Sequence, residues 1–162
     1  MKKYIDINPQ DGCIGVIGAD DEGNPIDFIL AGAIISSVMP IKYKNDYLEL
    51  EEKHNIYFIF DDNIPQIKFY TVPLIDIFAI DKLGGYYGAV GTTAELDDLE
   101  TPICYINENK QIYKAANNLR EFLFESENAS ELLKEPMSGI KLFNSLVDAK
   151  EQLDFLEVEF KN

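Results

Sequence analysis

The stretch from position 76 to 90, Asp-Ile-Phe-Ala-Ile-Asp-Lys-Leu-Gly-Gly-Tyr-Tyr-Gly-Ala-Val, decides the fold. Ile77, Phe78, Ala79 and Ile80 form a short apolar run. Gly84 and Gly85 interrupt it and Tyr86 and Tyr87 resume it, the pattern of two strands joined by a glycine turn. Residues 102–106 and 111–113 repeat the pattern around the turn formers Asn107, Glu108, Asn109 and Lys110. Beyond them Ala115, Leu119, Phe122 and Leu123 fall at i, i+4, i+7 and i+8, which predicts a helix ending near Ser126 with that face on the sheet. Two hairpins followed by a packing helix predict an α+β domain.

Toward the C-terminus, Asn128 or Ser130 is placed to cap a short helical turn over 131–134 that Pro136 stops. Ser138 then caps a last helix, in which Ile140, Leu142, Phe143, Leu146, Val147, Leu153, Phe155 and Leu156 supply the apolar contacts. Toward the N-terminus, residues 56–60 are aromatic and β-branched, Asp61, Asp62 and Asn63 turn the chain, and 66–72 resume the strand pattern, so the two segments are expected to pair as a hairpin. Residues 43–53 fit a short helix or a solvated connection. Residues 26–39 form an apolar run ended by Pro40, and periodicity does not separate strand from helix there. Residues 1–18 fit an edge strand and a hairpin turning at Asn8-Pro9 and Asp11-Gly12.

With 162 residues, 46% of them hydrophobic, the chain suffices for one sizeable core, and no repeat or low-complexity linker divides it, so residues 1–162 are read as one domain. Asp and Glu number 29 against 14 Lys and Arg, a formal net charge of −15. That balance disfavours nucleic acid and anionic membrane and favours a basic partner, and it also keeps a protein soluble. Arg120 is the single arginine, so a phosphate clamp of several guanidiniums is excluded. Cys13 and Cys104 are too few to build a metal site alone and read as free thiols of a reducing compartment. The N-terminus has no secretory pattern and the longest apolar run is too short to span a bilayer, so a cytoplasmic location is expected.

Chemistry is sparse. His54, the single histidine, stands beside Glu51, Glu52 and Lys53 and reads as a surface residue, and no spacing suggests a triad with Ser36, Ser37 or a cysteine. Gly85, Gly88 and Gly91 lead into Thr92 and Thr93 with no helix start and read as turn and bulge glycines. The acidic clusters around positions 20–22, 49–52, 61–62 and 95–100 do not match a calcium loop. Between Lys82 and Lys110 no base occurs, while Glu95, Asp97, Asp98, Glu100 and Glu108 all lie there. Tyr86 and Tyr87 are adjacent on a strand, so their side chains leave opposite faces and one is expected to be exposed or to reach a groove.

Residues 73–81, Pro-Leu-Ile-Asp-Ile-Phe-Ala-Ile-Asp, followed by Gly84-Gly85-Tyr86-Tyr87, resemble the central motif of the SUKH superfamily, in which a strand ending in an acidic residue meets a glycine turn and an aromatic strand. Residues 102–106, the turn at 107–110, Ile112-Tyr113, Leu119 and Glu121-Phe122-Leu123 resemble that family's closing hairpin and final helix. The first half departs from the pattern. It offers Met39-Pro40-Ile41-Lys42-Tyr43 where the family has Leu-Pro-x-x-Tyr, and it lacks Asn-Gly-Gly. The resemblance implies a SUKH-like α+β fold with a central, mostly antiparallel sheet, and a non-enzymatic immunity protein that neutralises a cognate bacterial toxin, with no cofactor.

The expected partner is a basic toxin domain. The expected contact surface joins Asp81, Gly85, Tyr86 and Tyr87 with Glu95, Asp97, Asp98 and Glu100, aromatic anchors ringed by one sign of charge. Reversing Asp97, Asp98 and Glu100 together should then leave folding almost unchanged. Two other readings stand beside it. The acidic loops suit a small-ligand or metal-binding protein or a hydrolase, and an exposed edge over 56–72 would suit a homodimer.

Overall fold

The computed structural model describes residues 1–7, 18–36, 38–124 and 135–157. Strand β6 (Ile75–Ile80), β7 (Tyr86–Val90), β8 (Ile103–Ile106) and β9 (Ile112–Ala116) form an antiparallel meander. Both hairpins turn where the glycines and asparagines stand. Along the free side of β6 lie two short strands in succession, β3 (Ala33–Ile34), parallel to its start, and β4 (Tyr57–Phe58), antiparallel to its end. The fold is thus α+β, with a central sheet that is mostly antiparallel.

Both faces of this sheet are covered, which is why its strands read as continuous apolar runs. On one face Phe58, Phe78, Tyr87, Tyr105 and Phe122 are buried together with Ile56, Phe60 and Ile103. A 3₁₀-helix (Ile41–Tyr47), helix α1 (Leu48–His54) and helix α2 (Leu119–Phe124) close that side through Tyr47, Leu50, Leu119 and Leu123. On the other face Ile75, Ile77, Cys104 and Ile106 meet Ile67, Phe69, Met137 and Ile140 from connecting segments. Gly88 makes the second face possible. A Cβ there would collide with Ile75 Cγ2 and stand 2.9 Å from the Asp76 carbonyl and 3.1 Å from Ile77 Cδ1. The strand pairing also shifts register between Ile77 and Ala79, opposite Gly88 and Tyr87.

A smaller second core stands beside the sheet. Strand β1 (Lys2–Asp6) pairs in parallel with β2 (Asp27–Ala31), and β5 (Tyr70–Val72) pairs antiparallel with β10 (Lys141–Phe143). Helix α3 (Leu146–Gln152) closes it through Ala149 and Leu146, with Phe155 buried against Tyr4 and Tyr70. The chain passes from this layer to the central sheet at Gly32, whose φ of +130° is open to glycine. Its N–H donates to the Thr71 carbonyl at 2.8 Å, and its carbonyl accepts from Ile75 N–H at 2.9 Å and from Thr71 Oγ1 at 2.8 Å.

Several expectations are corrected. Residues 56–60 and 66–72 do not pair with each other. β4 joins β6 while β5 joins β10, because each finds a partner distant in sequence. The hairpin over 56–72 on which the homodimer reading rests does not form; β4 has β6 on one side, and Met39 bridges to Phe60. Residues 26–39 form two strands broken at Gly32, and residues 43–53 are helical. Ala115 belongs to β9, and α2 starts only at Leu119, where Asn118 Oδ1 accepts from Glu121 N–H at 2.9 Å. The final helix is shorter than expected. Lys141, Leu142 and Phe143 are strand, and Ser145, not Ser138, caps α3 by accepting from Asp148 N–H at 3.2 Å. The hairpin arm over 8–17, Ser37, the caps Asn128 and Ser130 and the turn over 131–134 lie outside the described residues.

Candidate protein-binding face

The segment between β7 and β8 is an ordered acidic loop, and buried polar groups hold it. Asp76, 1% exposed, stands at the start of β6, and among the described residues no cation forms an ion pair with it. Its carboxylate accepts from Ser36 N–H at 2.9 Å and Ser36 Oγ at 2.6 Å on one side, and from Ala94 N–H at 3.1 Å on the other. Asn118 Nδ2 donates to the Leu99 carbonyl at 3.3 Å, tying the middle of the loop to the start of α2. Asp98 closes the far end. It accepts from Glu100 N–H at 2.9 Å, Thr101 N–H at 3.1 Å and Thr101 Oγ1, and the Thr101 hydroxyl first, then the backbone donors, hold its carboxyl below the usual aspartate range.

With the loop pinned at these points, Glu95, Leu96, Asp97, Leu99 and Glu100 are left exposed. Leu96 and Leu99 keep 43% and 53% of their surface in water, more than single stray leucines on one short loop would need. Arg120 on α2 approaches Asp97 at 3.8 Å. Phe124, at the end of the same helix, is 73% exposed. Loop and helix together present apolar side chains among carboxylates.

Asp81, Gly85, Tyr86 and Tyr87 lie elsewhere. They stand at the β6–β7 turn, the opposite end of β7 from the acidic loop, on the order of 13 Å away along a strand of five residues. The single surface expected from the sequence is therefore two separate regions. Within the first, Asp81 organises the turn by accepting from Leu83 N–H at 2.8 Å, Gly85 N–H at 2.7 Å and the Tyr105 hydroxyl. Burial, then that bond to a carboxylate, pushes the Tyr105 hydroxyl upward. Gly85 is buried, and a Cβ on it would lie 2.5 Å from Tyr105 Cε2 and 2.7 Å from Asp81 Oδ2. Tyr87 is 4% exposed, 4.8 Å from the Tyr105 ring and 5.3 Å from Phe122, and burial pushes its hydroxyl up to about 12. Tyr86 does leave the opposite face, as adjacent strand residues must, but it is half-buried against Phe69 at 5.2 Å. Gly85 and Tyr87 are thus buried in the fold, and Glu95, Asp97 and Glu100 remain accessible.

Asp98 also leaves the contact set, because its carboxylate closes the loop. The same use of carboxylates recurs across the chain. Asp20 accepts from Glu22 and Asn24 N–H, and Asp61 from Ile41 N–H at 3.0 Å. Turn geometry closed by aspartate thus accounts for Asp20, Asp81 and Asp98. Among the described residues no group of three His, Cys, Asp or Glu side chains is placed to hold a metal ion, and no helix is long and apolar enough to cross a membrane. His54 lies half-buried at the end of α1, and Ser36 Oγ donates to Asp76. Comparison with family models, with curated proteins and with solved structures finds no match for the chain.

Proposed function

We propose that this chain is a non-catalytic protein-binding module of the cytoplasm, an immunity protein that neutralises a basic bacterial toxin domain. The observation that carries the reading is the loop over 95–100. It is held rigidly by Asp76, Asp98 and Asn118 while presenting Glu95, Asp97 and Glu100 around two exposed leucines. A preorganised acidic surface with apolar centres suits a basic partner, since opposite charge speeds encounter and buried apolar anchors hold the complex. The resemblance of residues 73–124 to the SUKH superfamily supports the immunity role, and the net charge of −15 supports the sign of the partner.

Toxicity and rescue test the proposal. Expression of the reading frame directly upstream of this gene is expected to arrest growth of a bacterial host, and co-expression of this chain to restore it. A toxic neighbour that this chain neither relieves nor binds overturns the immunity reading.

A further inference from the structure

Between α1 and α2 runs a groove of about 730 Å³. Tyr47, Leu50 and Leu123 form its apolar lining, and Leu96 and Phe124 stand at its margin. Phe124 also borders a second hollow, lined by Leu99 together with Asn118, Arg120 and Glu121. The margin is acidic. Asp46 and Glu49 line the α1 side together with Lys53 and His54, and Leu96 enters from the loop, where its chain neighbours Glu95 and Asp97 are exposed. Two of the bases nearby face carboxylates: Lys53 bonds Glu49 at 2.5 Å, and Arg120 lies 3.8 Å from Asp97. A groove with apolar residues at its centre, Asp46 and Glu49 on one wall and an exposed acidic loop beside the other complements a segment with one apolar face and lysines or arginines along its flanks.

We propose that this groove receives a basic amphipathic segment of the partner protein, its apolar side chains seated between α1 and α2 and its cations against Asp46, Glu95 and Asp97. The inference rests on the binding-module reading above and adds the place and the shape of the ligand. Charge decides the occupant. An anionic lipid surface is repelled by the same carboxylates, and a small molecule would call for polar groups converging inside the pocket rather than a phenyl ring 73% exposed at its lip.

The test uses the full chain and fluorescein-labelled peptides of leucine and lysine, read by anisotropy. One peptide carries leucines at helical spacing on a single face; another has the same composition shuffled so that no apolar face exists; a third replaces lysine by glutamate. The single-faced basic peptide is expected to bind at least about tenfold more tightly than either control. Leu96→Ser with Phe124→Ser should remove that advantage, while Leu83→Ser should not, since Leu83 is equally exposed but lies at the far end of β7. Thermal melts confirm that each variant folds. If shuffled and single-faced basic peptides bind alike, or the double variant binds undiminished, the groove is overturned while the acidic-module reading stands. If the glutamate peptide binds as well as the lysine one, the charge complementarity is overturned. If no basic peptide binds even at low ionic strength, the groove is overturned, while the immunity reading stands or falls on the toxicity and rescue experiment.

Discussion

Asp76 joins three segments through one carboxylate, and its isosteric replacement separates charge and acceptor capacity from shape. Asp76→Asn puts an amide donor where Ser36 and Ala94 already donate, leaving part-buried donors facing a donor, which costs about 1 kcal/mol. In a chain of this size each kcal/mol lowers Tm by roughly 2–4 °C, so a thermal melt reads the loss directly. An unchanged Tm would show that Asp76 does not hold the loop. Cys104 gives a second residue-scale prediction. It is fully buried on β8, and burial pushes its thiol up to about 12, so the thiolate is scarce at neutral pH and the sulfur is also out of reach. Iodoacetamide at pH 8 should label Cys104 only after denaturation, as peptide mass spectrometry can record. Rapid labelling in the folded protein would mean that β8 opens readily.

At the scale of elements, the two hairpins β6–β7 and β8–β9 were legible because their turn signals lie between the strands they join, so local chemistry and final pairing agree. The segments over 56–60 and 66–72 showed equally clear strand composition, yet composition does not name a partner. β4 pairs with β6 and β5 with β10, a strand some seventy residues away that had read as helix. Ala115 matched the helical period of Leu119 and Phe122 while belonging to a strand, and the Asn118-x-x-Glu121 cap that marks the true start was the available signal. The candidate site divided for the same reason. Positions 81–87 and 95–100 are close in sequence, and an intervening five-residue strand carries them to opposite ends of the sheet. Two substitutions test this packing. Phe122 contacts Phe58, Phe78 and Tyr87, so Phe122→Ala should cost about 3–5 kcal/mol in urea unfolding. Gly88→Ala forces a methyl against Ile75 and the Asp76 carbonyl and should cost about 1–3 kcal/mol. A Gly88→Ala protein as stable as wild type would contradict the close approach of β6 and β7.

Over the whole molecule the net charge of −15 acts on stability and association in opposite senses. Like charges on one compact body repel one another, which opposes folding, and the same field draws in a basic partner. Reversal of Asp97, Asp98 and Glu100 together does not separate these effects, because Asp98 closes the loop through Thr101. The combination Glu95→Lys, Asp97→Lys and Glu100→Lys leaves that closure intact. It removes one exposed ion pair, Arg120 with Asp97 at 3.8 Å, and such pairs contribute little. Relief of repulsion should outweigh that loss, so at low salt the triple variant should melt at or above the wild-type temperature. Added salt should raise the wild-type Tm more than the variant's, since at about 0.15 M screening acts within roughly 8 Å. Association with a basic partner should move the other way, slower for the variant at low salt and converging with wild type as salt rises. Melts and stopped-flow association rates over one sodium chloride series measure both. A variant that melts well below wild type at low salt would show that these carboxylates hold the fold, and superimposable association rates would show that the loop does not face the partner.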